Sequence, residues 1–210
     1  MSEPGRDSAR IVLVRHGETD YNREDRWQGS ASDVPLNERG REQARAVAAA
    51  LVEAFDRHVV AAHTSDLSRA RETATILAAR LGVPVREEPA LRELSHGRWE
   101  GRTHAEVAEL WPGDYAAYEA DPFEVRRGGG DSYADLEARL WPALERMARS
   151  HRGQRIVAVS HGGPIRLALS RILDRPLADR DALGVGNGSW FEVERSPEGW
   201  SLVDSGGVRT

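Results

Sequence analysis

The stretch Arg10-Ile-Val-Leu-Val-Arg-His-Gly17 decides the fold. Its apolar centre has no polar alternation, so it reads as a strand buried on both faces, as in a parallel sheet covered by helices. It breaks at His16-Gly17, where glycine permits a sharp turn. A second run, Arg155-Ile-Val-Ala-Val-Ser160, breaks in the same way at His161-Gly-Gly-Pro164. Val59-Val-Ala-Ala-His63 is a further strand candidate, and Val83 to Arg86 a shorter one. Helical spacing fills the intervals. Asn37 caps a helix whose apolar positions are Ala44, Val47, Ala48, Leu51 and Phe55. Asp66 to Leu81 stops at Gly82. Asp131 to Ser150 carries the stripe Tyr133, Leu136, Leu140, Leu144, Met147, and Pro164 suits the first turn of a helix to about Leu173. Ser189–Arg195 and Trp200–Asp204 read as a terminal hairpin. Strands alternating with helices predict an α/β fold: a three-layer αβα sandwich around a mostly parallel sheet, with a small helical lid insertion. The chain reads as one domain over 1–210, with 95–130 as the lid-like insertion. Glu18 to Asn37 reads as a long functional loop, and residues 1–9 and the tail from Ser205 as loose ends.

Composition removes whole mechanisms. The 210 residues are 40% hydrophobic and carry a net charge of −5. That acidity, with no basic block, argues against a nucleic-acid partner. No run approaches the 18 or so apolar residues of a membrane span. The start, Met1 to Arg10, lacks the apolar centre of a secretory signal, so a cytoplasmic location is expected. There is no cysteine, hence no thiolate nucleophile or thiolate metal site. All 29 basic residues are arginine, which excludes Schiff-base lysine chemistry and supplies only forked, always-ionised guanidinium groups. The histidines at 16, 58, 63, 96, 104, 151 and 161 show no spacing of a metal site, so no metal and no cofactor are expected.

Ligands of open α/β sheets lie beyond the carboxyl ends of the strands. Two strands end there in Arg15-His16-Gly17 and Ser160-His161-Gly162, and a third leads into the helix carrying Arg69. If these strands are parallel neighbours, two histidines and two arginines converge. Clustered cations repel, so the cluster calls for an anion between them, and a phosphoryl group offers oxygens that match guanidinium forks.

Four ordered blocks then resemble the histidine phosphatase superfamily, also called phosphoglycerate-mutase-like. They are Arg15-His-Gly-Glu-Thr19 with Tyr21-Asn22, Gln28-Gly29 and Leu36–Gly40; Thr64 to Ala74 around Arg69; Leu91-Arg-Glu-Leu94 with Gly97–Gly101; and Val159-Ser-His-Gly-Gly163. The resemblance implies His16 as nucleophile, its second ring nitrogen donating to a backbone carbonyl, usually that of Gly17. It implies Arg15, Arg69 and His161 around the phosphoryl oxygens, with Asn22, Gly162 and the backbone near Gln28 and Gly29 completing the pocket. Glu93 would protonate the leaving oxygen and then deprotonate the attacking water. The implied substrate is a small-molecule phosphate ester, with a sugar phosphate or phosphoglycerate derivative among the candidates. Assembly as a homodimer is left open.

The branch follows from spacing. Only 68 positions separate Glu93 from His161, which is short beside the family's mutases, and Glu93-Leu-Ser-His96 and His161-Gly-Gly-Pro164 resemble the phosphatase branch. Arg126-Arg127 in the lid keeps a cofactor-dependent phosphoglycerate mutase as the alternative. A non-catalytic phosphate-binding protein is a second alternative, which the presence of both His16 and Glu93 disfavours. Tyr21, Trp27, Trp111, Tyr115 and Phe123 either line the mouth of the pocket or form the core of the lid.

Overall fold

A computed structural model describes residues 4–55 and 58–207. Among the described residues, six strands form one sheet in the order β3-β2-β4-β1-β5-β6. β1 (Ala9–Arg15), β2 (Val59–Thr64), β3 (Val85–Glu87) and β4 (Arg155–Ser160) are parallel, and β5 (Ser189–Ser196) and β6 (Gly199–Gly207) add an antiparallel hairpin. β1 and β4 pair without a slip from Arg10↔Arg155 to Arg15↔Ser160. The next residues, His16 and His161, therefore leave the sheet side by side. That register brings the two His-Gly breaks together.

The helices are α1 (Asp20–Arg23), α2 (Glu38–Phe55), α3 (Ser68–Leu81), α4 (His104–Leu110), α5 (Pro112–Ala120), α6 (Tyr133–Ser150) and α7 (Gly162–Ile172). Strand alternation sorts them into layers. Val12, Val14, Val157 and Val159 pack with α2 and α3, whereas Ile11, Leu13, Ile156 and Ala158 pack with α6 and α7. Every position of the two apolar stripes read for α2 and α6 is buried. Burying each of their large side chains contributes about 1.5–3 kcal/mol. Asn37 Oδ1 accepts from Gly40 N at 2.8 Å, the cap read for α2, and α3 ends at Gly82 with φ of 75°. A third cluster of Trp27, Trp99, Val107 and Tyr118, with Trp111 and Tyr115 against it, forms the interior of the segment that carries α4 and α5.

The chain ends correct the reading of loose termini. Ser8 is buried, donating to Glu194 at 3.0 Å, and β6 runs through Ser205 to Gly207. Residues 1–3 and 208–210 lie outside the described residues. The Glu18–Asn37 loop holds the short α1, capped by Thr19. Among the described residues, no helix is long and apolar enough to cross a membrane.

Candidate active site

His16 stands at the floor of a cavity of about 540 Å³ above the carboxyl ends of β1 and β4. Its Nδ1 lies 2.7 Å from the carbonyl oxygen of Gly17. Only a protonated Nδ1 can donate to that acceptor, so in the neutral ring Nε2 carries the lone pair. Arg69 Nε donates to Nε2 at 3.3 Å. Burial, then the charges of Arg69 and Arg15, holds the His16 pKa well below 6.5. The ring is thus neutral and nucleophilic across the neutral pH range.

His161 faces it edge to face, with ring centroids 5.0 Å apart. Its Nε2 is 2.8 Å from Ser65 Oγ, and its buried Nδ1 has no protein partner among the described residues. Burial, followed by Arg69 and His16, also pushes this imidazole well down. Arg69, in the first turn of α3, is completely buried and donates to Ser32 O at 3.0 Å and Gly29 O at 3.1 Å. Arg15 donates to Val185 O at 2.7 Å. Burial lowers both guanidinium pKa values to about 10, and the neighbouring Arg166 charge adds to the effect on Arg15.

Glu93 reaches the same floor from the segment after the 3₁₀ turn Pro89–Leu91. One carboxylate oxygen accepts from Gly163 N at 3.1 Å and the other from Leu94 N at 3.0 Å. Gly163 is in the first turn of α7, whose N-terminal dipole favours negative charge at this spot. A Cβ on Gly163 would lie 2.3 Å from Glu93 Oε1, so the carboxylate seats only against glycine.

The remaining expected residues divide. Asn22, Gln28 and Gly162 line the cavity. Asn22 Oδ1 accepts from Thr19 N and from Asn187 Nδ2, and Gln28 Oε1 accepts from Thr19 Oγ1 at 2.8 Å. Gly29 does not line the cavity; its carbonyl holds Arg69 instead. Arg126 and Arg127 part company. Arg126 is exposed on Asp135, whereas Arg127 is 3% exposed, lines the cavity and lies 4.2 Å from the Tyr133 ring and 4.9 Å from that of Tyr118. Of the aromatic candidates, Tyr21, Trp27 and Tyr115 line the cavity, Trp111 packs in the lid cluster, and Phe123 packs on the main core.

The sequence reading of the site left out Asn187 and Arg166, which line the cavity, and Ser65, which does not line it but bonds His161. Asn187 bridges His16 O and Asn22, each at 3.1 Å. Arg166, one turn into α7, stands beside Arg15, and Ser65 orients His161. Ser65 directly follows the second strand, and Asn187 opens a Gly/Asn turn before the fifth; both positions were readable signals, whereas Arg166 carried none. Among the described residues, no group of three or more His, Asp or Glu side chains could hold a metal ion.

Residues 11–206 match the model of the histidine phosphatase superfamily (branch 1), and the chain belongs to that family. It is similar to phosphoglycerate mutase-like protein 4 of Arabidopsis thaliana, at 41% identity over 79% of this chain and 71% of that protein. It is also similar to a metal-independent phosphoserine phosphatase of the same plant, at 40% identity over 77% of this chain and 68% of the relative. Among solved structures, a mycobacterial glucosyl-3-phosphoglycerate phosphatase in complex with VO3 superposes with a TM-score of 0.80 and 36% identity, covering 93% and 97% of the two chains. The α/β architecture read from the sequence is the fold of these relatives.

Proposed function

We propose that the chain hydrolyses small phosphate monoesters, without a metal ion, through a phosphohistidine on His16. One observation carries the reading: an imidazole whose Nδ1–H is committed to Gly17 O, leaving the Nε2 lone pair among Arg69, Arg15 and His161 with the Glu93 carboxylate alongside. An arriving ester displaces the long Arg69–His16 contact, and the guanidinium turns to a phosphoryl oxygen. Nε2 attacks phosphorus, the P–O bond to the leaving group breaks, and Glu93, which enters the cycle as the protonated acid, gives the departing alkoxide its proton and is left as the carboxylate. Water then attacks the phosphohistidine, Glu93 takes a proton from it, the P–N bond breaks and Nε2 regains its lone pair. Arg15, Arg69 and His161 stabilise the charge spread over the phosphoryl oxygens. The segment 95–130 closes the outer wall as a lid, and the reaction uses no cofactor. The names of the relatives support a small phosphorylated metabolite whose leaving group carries a carboxylate, and a cytoplasmic setting suits such a substrate.

Buried Arg127 in the lid favours one further reading, a mutase that holds a second anionic group there. One assay series separates the possibilities. Hydrolysis of phosphoserine continues in EDTA, His16→Ala abolishes both turnover and acid-labile labelling from substrate, and added 2,3-bisphosphoglycerate does not start isomerisation of 3-phosphoglycerate. Chelator inhibition reversed by a metal, or a labelled His16→Ala protein, overturns the phosphatase mechanism; rapid isomerisation moves the chain to the mutases.

A further inference from the structure

Arg139, in the second turn of α6, has an unusual set of partners. Its guanidinium is half-buried, yet no carboxylate lies within ion-pair distance among the described residues. It donates instead to three carbonyl oxygens of one short segment: Ala90 at 2.7 Å, Arg92 at 2.8 Å and Glu93 at 3.0 Å. The 3₁₀ turn Pro89–Leu91 ends without a following helix, so its last carbonyls have no intrahelical partner, and unpaired buried carbonyls are costly. A neutral amide would satisfy one or two of them. The planar fork of arginine satisfies three at once and fixes their mutual geometry.

The carboxylate of Glu93 is seated on Gly163 N and Leu94 N, and the other ties of this segment fall on its neighbours, not on the Glu93 backbone. Ser160 Oγ donates to Leu91 O at 2.7 Å, the Arg92 side chain makes an exposed pair with Asp66, and Leu94 O accepts from Ser30 N at 3.0 Å. The Glu93 peptide carbonyl is held by Arg139. Burial pushes the Arg139 guanidinium below its ordinary range, and the nearby Glu93 charge acts in the opposite direction, so the cation and the carboxylate share one electrostatic neighbourhood. We infer that Arg139 is a positioning residue for the proton transfer: by clamping the carbonyl of Glu93 it holds that carboxyl over the leaving oxygen, without touching substrate.

This rests on the role proposed for Glu93, and the test separates the two. A leaving p-nitrophenolate departs without a proton, whereas an alkoxide needs one, so an error in placing the general acid is felt only by alkyl esters. Single-turnover phosphoryl transfer is measured with phosphoserine and with p-nitrophenyl phosphate. Arg139→Met is expected to slow the alkyl ester about 10²-fold, the effect of a misplacement near 1 Å, and to leave the aryl ester unchanged. Glu93→Gln shows the same selectivity, and the double variant is no slower than Glu93→Gln alone. If Arg139→Met does not fold, Arg139→Lys, which keeps the charge but loses the fork, shows the same selectivity with a smaller loss. Equal loss on both esters, no loss, or a further drop in the double variant overturns the proposal alone. A Glu93→Gln protein that slows both esters equally overturns the role of Glu93 and the proposal with it.

Discussion

Gly163→Ala tests how tightly the proton-transfer group is seated. The new Cβ would stand 2.3 Å from Glu93 Oε1 and 2.4 Å from Leu94 Cδ1, where ordinary contact begins at 3.4 Å. Clearing that overlap moves the carboxylate by about 1 Å, a displacement worth about 10²-fold in rate, or about 2.7 kcal/mol of barrier. The backbone of Gly163 is helical, with no left-handed φ, so alanine brings no strain of its own and the fold should survive. KM should change little, because the phosphoryl pole is built from Arg15, His16 and Arg69. The assay is kcat on phosphoserine beside a thermal melt. A variant with the wild-type melt and the wild-type kcat would refute the claim that Glu93 works from this seat.

Two other outcomes follow from buried groups outside that seat. His63, on β2, is 8% exposed, and burial followed by the charges of His151 and Arg86 lowers its pKa from 6.5 to about 4. The unfolded chain therefore takes up this proton first, so the contribution is intact above pH 6.5 and is lost as pH falls from there to about 4, amounting to at most about 3 kcal/mol. Urea midpoints at pH 7 and pH 4 should converge in His63→Gln relative to wild type; an unchanged pH slope removes this group from the account. Arg127→Gln should raise KM for esters bearing a second anionic group by about 10- to 10²-fold, the worth of a hydrogen bond to a charge, and spare p-nitrophenyl phosphate. Equal KM changes for both ester types would reduce Arg127 to a packing element.

The sheet and its helices were legible because fully buried strands need unbroken apolar runs and the helices facing them need stripes at helical spacing. The juxtaposition of His16 and His161 was legible as well, since both follow such runs directly. The two arginines 126 and 127 show where legibility stops. Adjacent and identical in type, they differ only in what the turn does to them: Arg127 is rotated under Tyr118 and Tyr133 while Arg126 meets Asp135 in solvent. Arg139 was equally hidden, because its partners are main-chain carbonyls, which every residue possesses. The end of β6 misled for another reason. Ser205-Gly-Gly207 reads as coil, yet Gly206 pairs with Trp190, and its missing side chain makes room for that indole, whose ring atoms a Cβ would approach to 2.7 Å.

The two ends of the sheet handle buried arginine in opposite ways, and the contrast explains how the site keeps its charge. At the amino ends of β1 and β4, Arg155 meets Glu192 at 2.7 Å and Arg10 meets Glu194 at 3.3 Å. There the cations are neutralised, which satisfies the interior and leaves nothing for a ligand. At the carboxyl ends, Arg15 and Arg69 are anchored by the carbonyls of Val185, Ser32 and Gly29. A carbonyl orients a guanidinium without cancelling its charge. The fold thus fixes the direction of each fork while the attraction for an anion stays available, which is the preorganised state that phosphoryl transfer requires. Replacing those carbonyl contacts by a carboxylate would hold the arginines just as firmly and would fill the place of the phosphate.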